Sequence, residues 1–134
     1  MSKSRDVLSS LERAMLKFEE SSHFPDDEVH LDSQIQRFEF TFELCGKLMR
    51  AMLADGGNPT FGVNLTFRTA AAAGYIDNPR EWIDYADTRN KASHVYDEEM
   101  ARAVLAVALG PFIADARKFL TFAQTYLAKN NDQD

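Results

Sequence analysis

The stretch Asp87-Thr88-Arg89-Asn90-Lys91-Ala92-Ser93-His94-Val95-Tyr96-Asp97-Glu98 gathers the side chains best able to do chemistry. The Arg89 guanidinium can clamp two phosphoryl oxygens. The His94 imidazole can accept or donate a proton. The Tyr96 hydroxyl can position a group or accept a modification. Asn90, Lys91 and Ser93 complete a set whose types suit phosphate chemistry. Helix geometry limits which of them meet. Arg89 and Ser93 are four apart and share a face, as do Asn90 and His94. Arg89 and His94 are five apart, roughly 140° round a regular helix, so they diverge. They converge if the helix ends between them, or if a second copy supplies the facing half of the site. A plainer reading stands beside this one. Basic residues at a helix C-terminus offset its dipole, and Ser or His can cap it.

Other chemistries lack their residues. Gly56-Gly57 is not followed by the Lys-Ser/Thr of a phosphate loop, and there is no Ser nucleophile elbow. His23, His30 and His94 are not spaced as metal ligands; His30 and Asp26 are four apart but in a loop. No metal site and no cofactor are expected.

The elements that position the stretch read as helices. From Ser4 to Glu20, Val7, Leu8, Leu11, Met15, Leu16 and Phe18 recur at spacings of three and four. Pro25, two Ser and two Asp then break the pattern. From Val29 to Ala54, Ile35, Phe38, Phe42, Cys45, Met49 and Met52 keep the rhythm, and Leu31, Phe40, Leu44, Leu48 and Leu53 widen the stripe. A helix this apolar belongs at the centre of a bundle. Gly56-Gly57-Asn58-Pro59 stops it. A shorter helix runs from Val63 to Ala73, ending in an Ala run and Gly74. Asn78 is an N-cap with Pro79 at the first helical position, and that helix carries Trp82, Ile83, Tyr85 and Ala86 toward Arg89 and Asn90. Asp97 caps the last helix, which runs past Tyr126 with a kink at Gly110-Pro111. Residues 128–134 form a polar tail expected to fray. The fold class is all-α: an up-and-down bundle of four main helices and one shorter helix, in one domain over residues 1–134.

Composition sets the outer limits. At 134 residues with 45% hydrophobic and 27% charged residues, the chain can bury a real core. Its formal net charge of −6 weighs against a general nucleic-acid coat, which needs a long-range positive field. One cysteine, Cys45, cannot make an internal disulfide and suits a reducing compartment. No apolar run approaches a membrane span, and the charged N-terminus is unlike a signal peptide, so a cytoplasmic protein is expected.

Arg89-Asn90-Lys91-Ala92-Ser93-His94-Val95-Tyr96 resembles the HEPN signature: Arg, a polar residue, then His, then Tyr two further on. Ala73-Gly74-Tyr75-Ile76-Asp77-Asn78-Pro79-Arg80-Glu81-Trp82 and Arg37-Phe38-Glu39-Phe40-Thr41-Phe42-Glu43-Leu44 resemble that superfamily's nucleotidyltransferase substrate-binding branch. The resemblance covers about Val29 to Val107; the Phe61-Gly62-Val63-Asn64 approach is less typical. It implies a helical bundle that forms a symmetric dimer, with two Arg/His signatures meeting near the interface, and a minimal nucleotidyltransferase encoded nearby as partner. It implies two functions. In one the chain is a metal-independent endoribonuclease toxin, silenced by adenylylation of Tyr96. His94 is then the general acid/base and Arg89 stabilises the phosphorane charge. Asn90 orients phosphate or His94, and Lys91, Ser93 and Arg80 are substrate contacts. The products are a 2′,3′-cyclic phosphate and a 5′-hydroxyl. In the other, the chain is a non-catalytic subunit that binds the transferase's nucleotide substrate. A plain dimerisation bundle is the third reading. The complete signature favours the first; the acidic charge favours the second.

Overall fold

A computed structural model describes residues 3–130. The chain folds as α1 (Lys3–Ser21), α2 (Glu28–Asp55), α3 (Val63–Ala72), α4 (Pro79–Ala92), α5 (Glu98–Val107), a π-helical turn (Ala108–Phe112) and α6 (Ile113–Lys129). No strand occurs among the described residues. Counted as one kinked helix, α5 and α6 give the expected four main helices plus the shorter α3.

Local signals set the boundaries. Asp27 accepts from the His30 backbone N–H at 3.0 Å and starts α2. Asn78 accepts from the Arg80 N–H at 3.0 Å, with Pro79 opening α4, and Asp97 accepts from the Met100 N–H at 2.8 Å to open α5. At the end of α2, Gly57 rather than Gly56 takes the left-handed conformation, with φ 86°. The Gly110-Pro111 kink is present. Pro111 has no N–H and its ring collides with the preceding turn; the chain answers with a π-helical turn and a non-helical Gly110.

α2 is the central element and packs against α1, α3, α4, α5 and α6. The π-helical turn pushes Phe112 into the core. Its ring lies 5.2 Å from those of Phe38 and Tyr85, 5.8 Å from Trp82, and 6.0 Å from Phe18 and Phe42. Such tilted and edge-on contacts add to the burial that holds the helices together.

Three expectations need correction. The periodicity puts Leu16 and Phe40 in apolar stripes, yet each is 59% exposed. Phe40 sits two residues from both Phe38 and Phe42, so it points roughly 200° away from their inward face. The tail begins later than its polar composition implies: Ala128 and Lys129 still belong to α6, and Asn130 ends it. Residues 131–134 lie outside the described residues.

Candidate functional site

The last turn of α4 organises the site. The N–H groups of Ser93 and His94 donate to the carbonyls of Asn90 and Lys91 at 3.3 and 2.9 Å, closing the helix. The helix therefore ends between Arg89 and His94, one of the two conditions the spacing demands. Val95 then packs against the core and anchors the connection to α5. Ser93, His94 and Tyr96 face solvent around it, with Tyr96 81% exposed.

Arg89 does not serve its own helix end. It reaches across to α2, where its Nη2 donates to the Glu43 carboxylate in an ion pair. Its Nε is buried and has no hydrogen-bond acceptor among the described residues. A buried donor left in this state is uncommon and marks a place where an acceptor belongs.

Arg89 and Asn90 line a groove of about 460 Å³ between α2, α3 and α4. Its floor is apolar, built from Phe42, Phe67, Ile83 and Ala86. Lys47 and Arg50 stand on its α2 wall, and Asp87 faces them from α4. The Arg50 guanidinium folds back over Gly46, its Nη1 3.7 Å from where a Cβ would start. A second cavity of about 400 Å³ lies where α2 and α5 begin. Tyr96 lines it together with Glu28, Asp32, Asp97 and Glu98, so its surroundings are acidic. His94 lines neither cavity. One chain thus brings Arg89 and Asn90 together but leaves His94 and Tyr96 on the connection beyond.

The remaining candidates scatter. Lys91 is exposed on the last turn of α4. Arg80 lies nine residues before Arg89, roughly 13 Å along the helix, and pairs with Asp84 at 3.8 Å. It is not part of the Arg89 groove. His30 bonds through Nδ1 to Asp27 at 2.7 Å, while Asp26 pairs with Arg102, so the sequence pairing of His30 with Asp26 is not formed. The hydrogen bonds from His30 hold the Asp27 carboxyl below its ordinary pKa. No group of three metal-ligating side chains gathers among the described residues. Cys45 is buried, and burial pushes its thiol far above the ordinary value. No helix among the described residues is long and apolar enough to cross a membrane.

Sequence reasoning missed Glu43, Lys47 and Arg50 as site residues. A signal existed. They sit at i, i+4 and i+7, so one face of α2 carries all three charges beside Gly46.

Solved structures share this bundle. A Haemophilus influenzae protein, described as having the fold of a substrate binding domain of a nucleotidyltransferase, superposes with a TM-score of 0.79 at 28% identity. The match covers 87% of this chain and 98% of that one. A protein from Thermus thermophilus superposes with a TM-score of 0.72 at 26% identity over the same shares. The class is therefore the helical-bundle type represented by a nucleotidyltransferase's substrate binding domain. The family model described as "Nucleotidyltransferase substrate binding protein like" matches residues 1–125, and the chain belongs to that family. It is also 39% identical over 77 residues to a Haemophilus influenzae protein named "Probable ribonuclease HepT", a match covering 54% of this chain. The matched part spans about half the length of that relative, 53%.

Proposed function

We propose that this chain is the partner subunit of a minimal nucleotidyltransferase encoded nearby. We further propose that it is a metal-independent endoribonuclease toxin, silenced by adenylylation of Tyr96. The carrying observation is the end of α4. The helix stops after Arg89, and His94 and Tyr96 stand exposed on the short connection to α5. The name of the 39%-identical relative supports the same reading.

In this mechanism an imidazole takes the proton from an RNA 2′-hydroxyl. The 2′-oxygen bonds to phosphorus, and the P–O5′ bond breaks. A protonated imidazole supplies the proton that the leaving 5′-oxygen needs. Arg89 stabilises the charge on the phosphorane. Asn90 orients the phosphate, with Lys91 and Ser93 as flanking contacts. One chain holds Arg89 in a groove that His94 does not reach. A symmetric homodimer in the cytoplasm, with a second His94 facing the first chain's Arg89, completes the acid/base pair. Exposure of Tyr96 suits attack by a transferase.

A second reading has its own observation. Arg89 pairs with Glu43 in a groove large enough for a small ligand, which favours a non-catalytic subunit that binds the transferase's substrate. Cleavage of several RNAs in EDTA separates the two. Activity supports the ribonuclease; inactivity of protein whose intact mass shows no modification supports the binding subunit. Co-expression with the transferase is expected to add nucleotide mass that Tyr96→Phe abolishes. Mass retained on that variant means another residue is modified.

A further inference from the structure

We infer that Glu43 of α2 is a positioning residue for Arg89. Its carboxylate aims the guanidinium, and turnover through Arg89 depends on that aim. This role rests on the ribonuclease reading of the site and brings a second helix into it.

An arginine needs such a support. Its long side chain carries much rotamer freedom. A transition-state charge is most effective when it is already in place and does not reorient during the reaction. α4 does not hold Arg89 by itself. Asp87 lies on the same helix and lines the same groove, yet the hydrogen bond from Arg89 goes to Glu43, 46 residues away in sequence. Among the described residues Glu43 is the hydrogen-bond partner that Arg89 has.

Three features make this contact a mount. The first is the rigidity of its base. Glu43 stands on the central helix, and its neighbours Phe42, Leu44 and Cys45 are buried, so the backbone that carries it is fixed by packing. The second is the orphaned donor. Arg89 Nε is buried with no acceptor among the described residues. An unrestrained arginine would turn that N–H to water, because a buried donor without a partner costs free energy. The bond at the neighbouring Nη2 keeps the guanidinium turned inward instead. The third is what the contact leaves over. Glu43 engages Nη2, so the Nη1 donors remain for a phosphoryl oxygen. The charge of Glu43 works against binding, since a carboxylate beside the site repels phosphate. Its contribution therefore belongs in kcat and not in KM.

The test measures kcat and KM for RNA cleavage in EDTA, with the full-length, unmodified protein. Wild type is compared with Glu43→Ala, Glu43→Gln, Arg89→Ala and the Glu43→Ala/Arg89→Ala double variant, and the unfolding midpoint of each is recorded. Glu43→Ala is expected to lower kcat about ten- to a hundredfold, the scale of an ~1 Å misplacement in a site, with KM unchanged or lower. Glu43→Gln keeps an oxygen acceptor at the same reach and is expected to recover most of the lost kcat. In the Arg89→Ala background the loss of Glu43 is expected to cost nothing further, because Glu43 acts through the guanidinium. Several outcomes overturn the positioning role and leave the ribonuclease reading standing. These are an unchanged or raised kcat in Glu43→Ala, a raised KM alone, Glu43→Gln as slow as Glu43→Ala, additive losses in the double variant, or a midpoint that falls in step with kcat. Uncut RNA with the wild type overturns the ribonuclease reading and the positioning role with it.

Discussion

The aromatic centre and the open end of α4 are built on opposite terms. Around Phe112 every large ring has several ring neighbours, and Phe18, Phe38 and Phe112 are fully buried. At the end of α4, Arg89 keeps a buried donor without an acceptor, and Lys47 and Arg50 have no ion-pair partner among the described residues. His94 and Tyr96 face solvent. The first region is closed by ring packing inside the chain, although the buried Thr41 Oγ1 on the same stretch of α2 has no hydrogen-bond partner among the described residues. The second sets a buried unpartnered donor and exposed charged groups beside a cavity. The difference teaches where stability and function separate in this bundle.

Breaking the centre has the largest effect. Phe112→Ala opens a cavity among five rings and is expected to cost about 3–5 kcal/mol of stability. Thermal or denaturant unfolding reads this directly. A loss below ~1 kcal/mol would mean the kinked segment is not the keystone of the packing. Breaking the open end reverses the pattern. Arg89→Ala is expected to lower RNA cleavage about 10²–10³-fold, the usual cost of one preorganised transition-state charge. Its unfolding midpoint should hardly move, because exposed ion pairs contribute ~0–1 kcal/mol. A large stability loss with intact cleavage would dissolve the contrast.

The legibility of the two regions also differs. The centre is readable because burial leaves a period: Phe38, Phe42, Cys45, Met49 and Met52 announce the inward face of α2. The caps at Asn78 and Asp97 are readable because each is one residue type bonding to its own local backbone. Phe40 misleads because hydrophobicity says nothing of which neighbours a helix lacks. The site is half legible. Arg89, His94 and Tyr96 are close in sequence, so their spacing shows them. Glu43, Lys47 and Arg50 share a helix face in the sequence, but only the packing of α2 against α3 and α4 makes that face a wall of the groove. Arg80 shows the converse: it is near Arg89 in sequence, yet roughly 13 Å away along α4.

The smallest effect sharpens the comparison at a third place. Asp27 opens α2 by accepting from His30, and those hydrogen bonds depress its pKa. A depressed carboxylate stabilises the fold above its unfolded pKa, and that contribution is lost as pH falls through the folded value. Asp27→Ala is therefore expected to lower the unfolding midpoint slightly near neutrality. The variant and wild type should converge in acid, below the ordinary carboxylate range. A gap that persists undiminished there would assign the effect to something other than the charged cap.

The account's central claim is that the exposed end of α4 performs phosphoryl transfer through His94. Its most direct test is mass spectrometry of RNA ends after incubation in EDTA with unmodified wild type and with His94→Ala. The account predicts 2′,3′-cyclic phosphate and 5′-hydroxyl ends from wild type, and their loss in His94→Ala with its unfolding midpoint unchanged. The same ends at the same rate from the variant, or uncut RNA with the wild type, would contradict it.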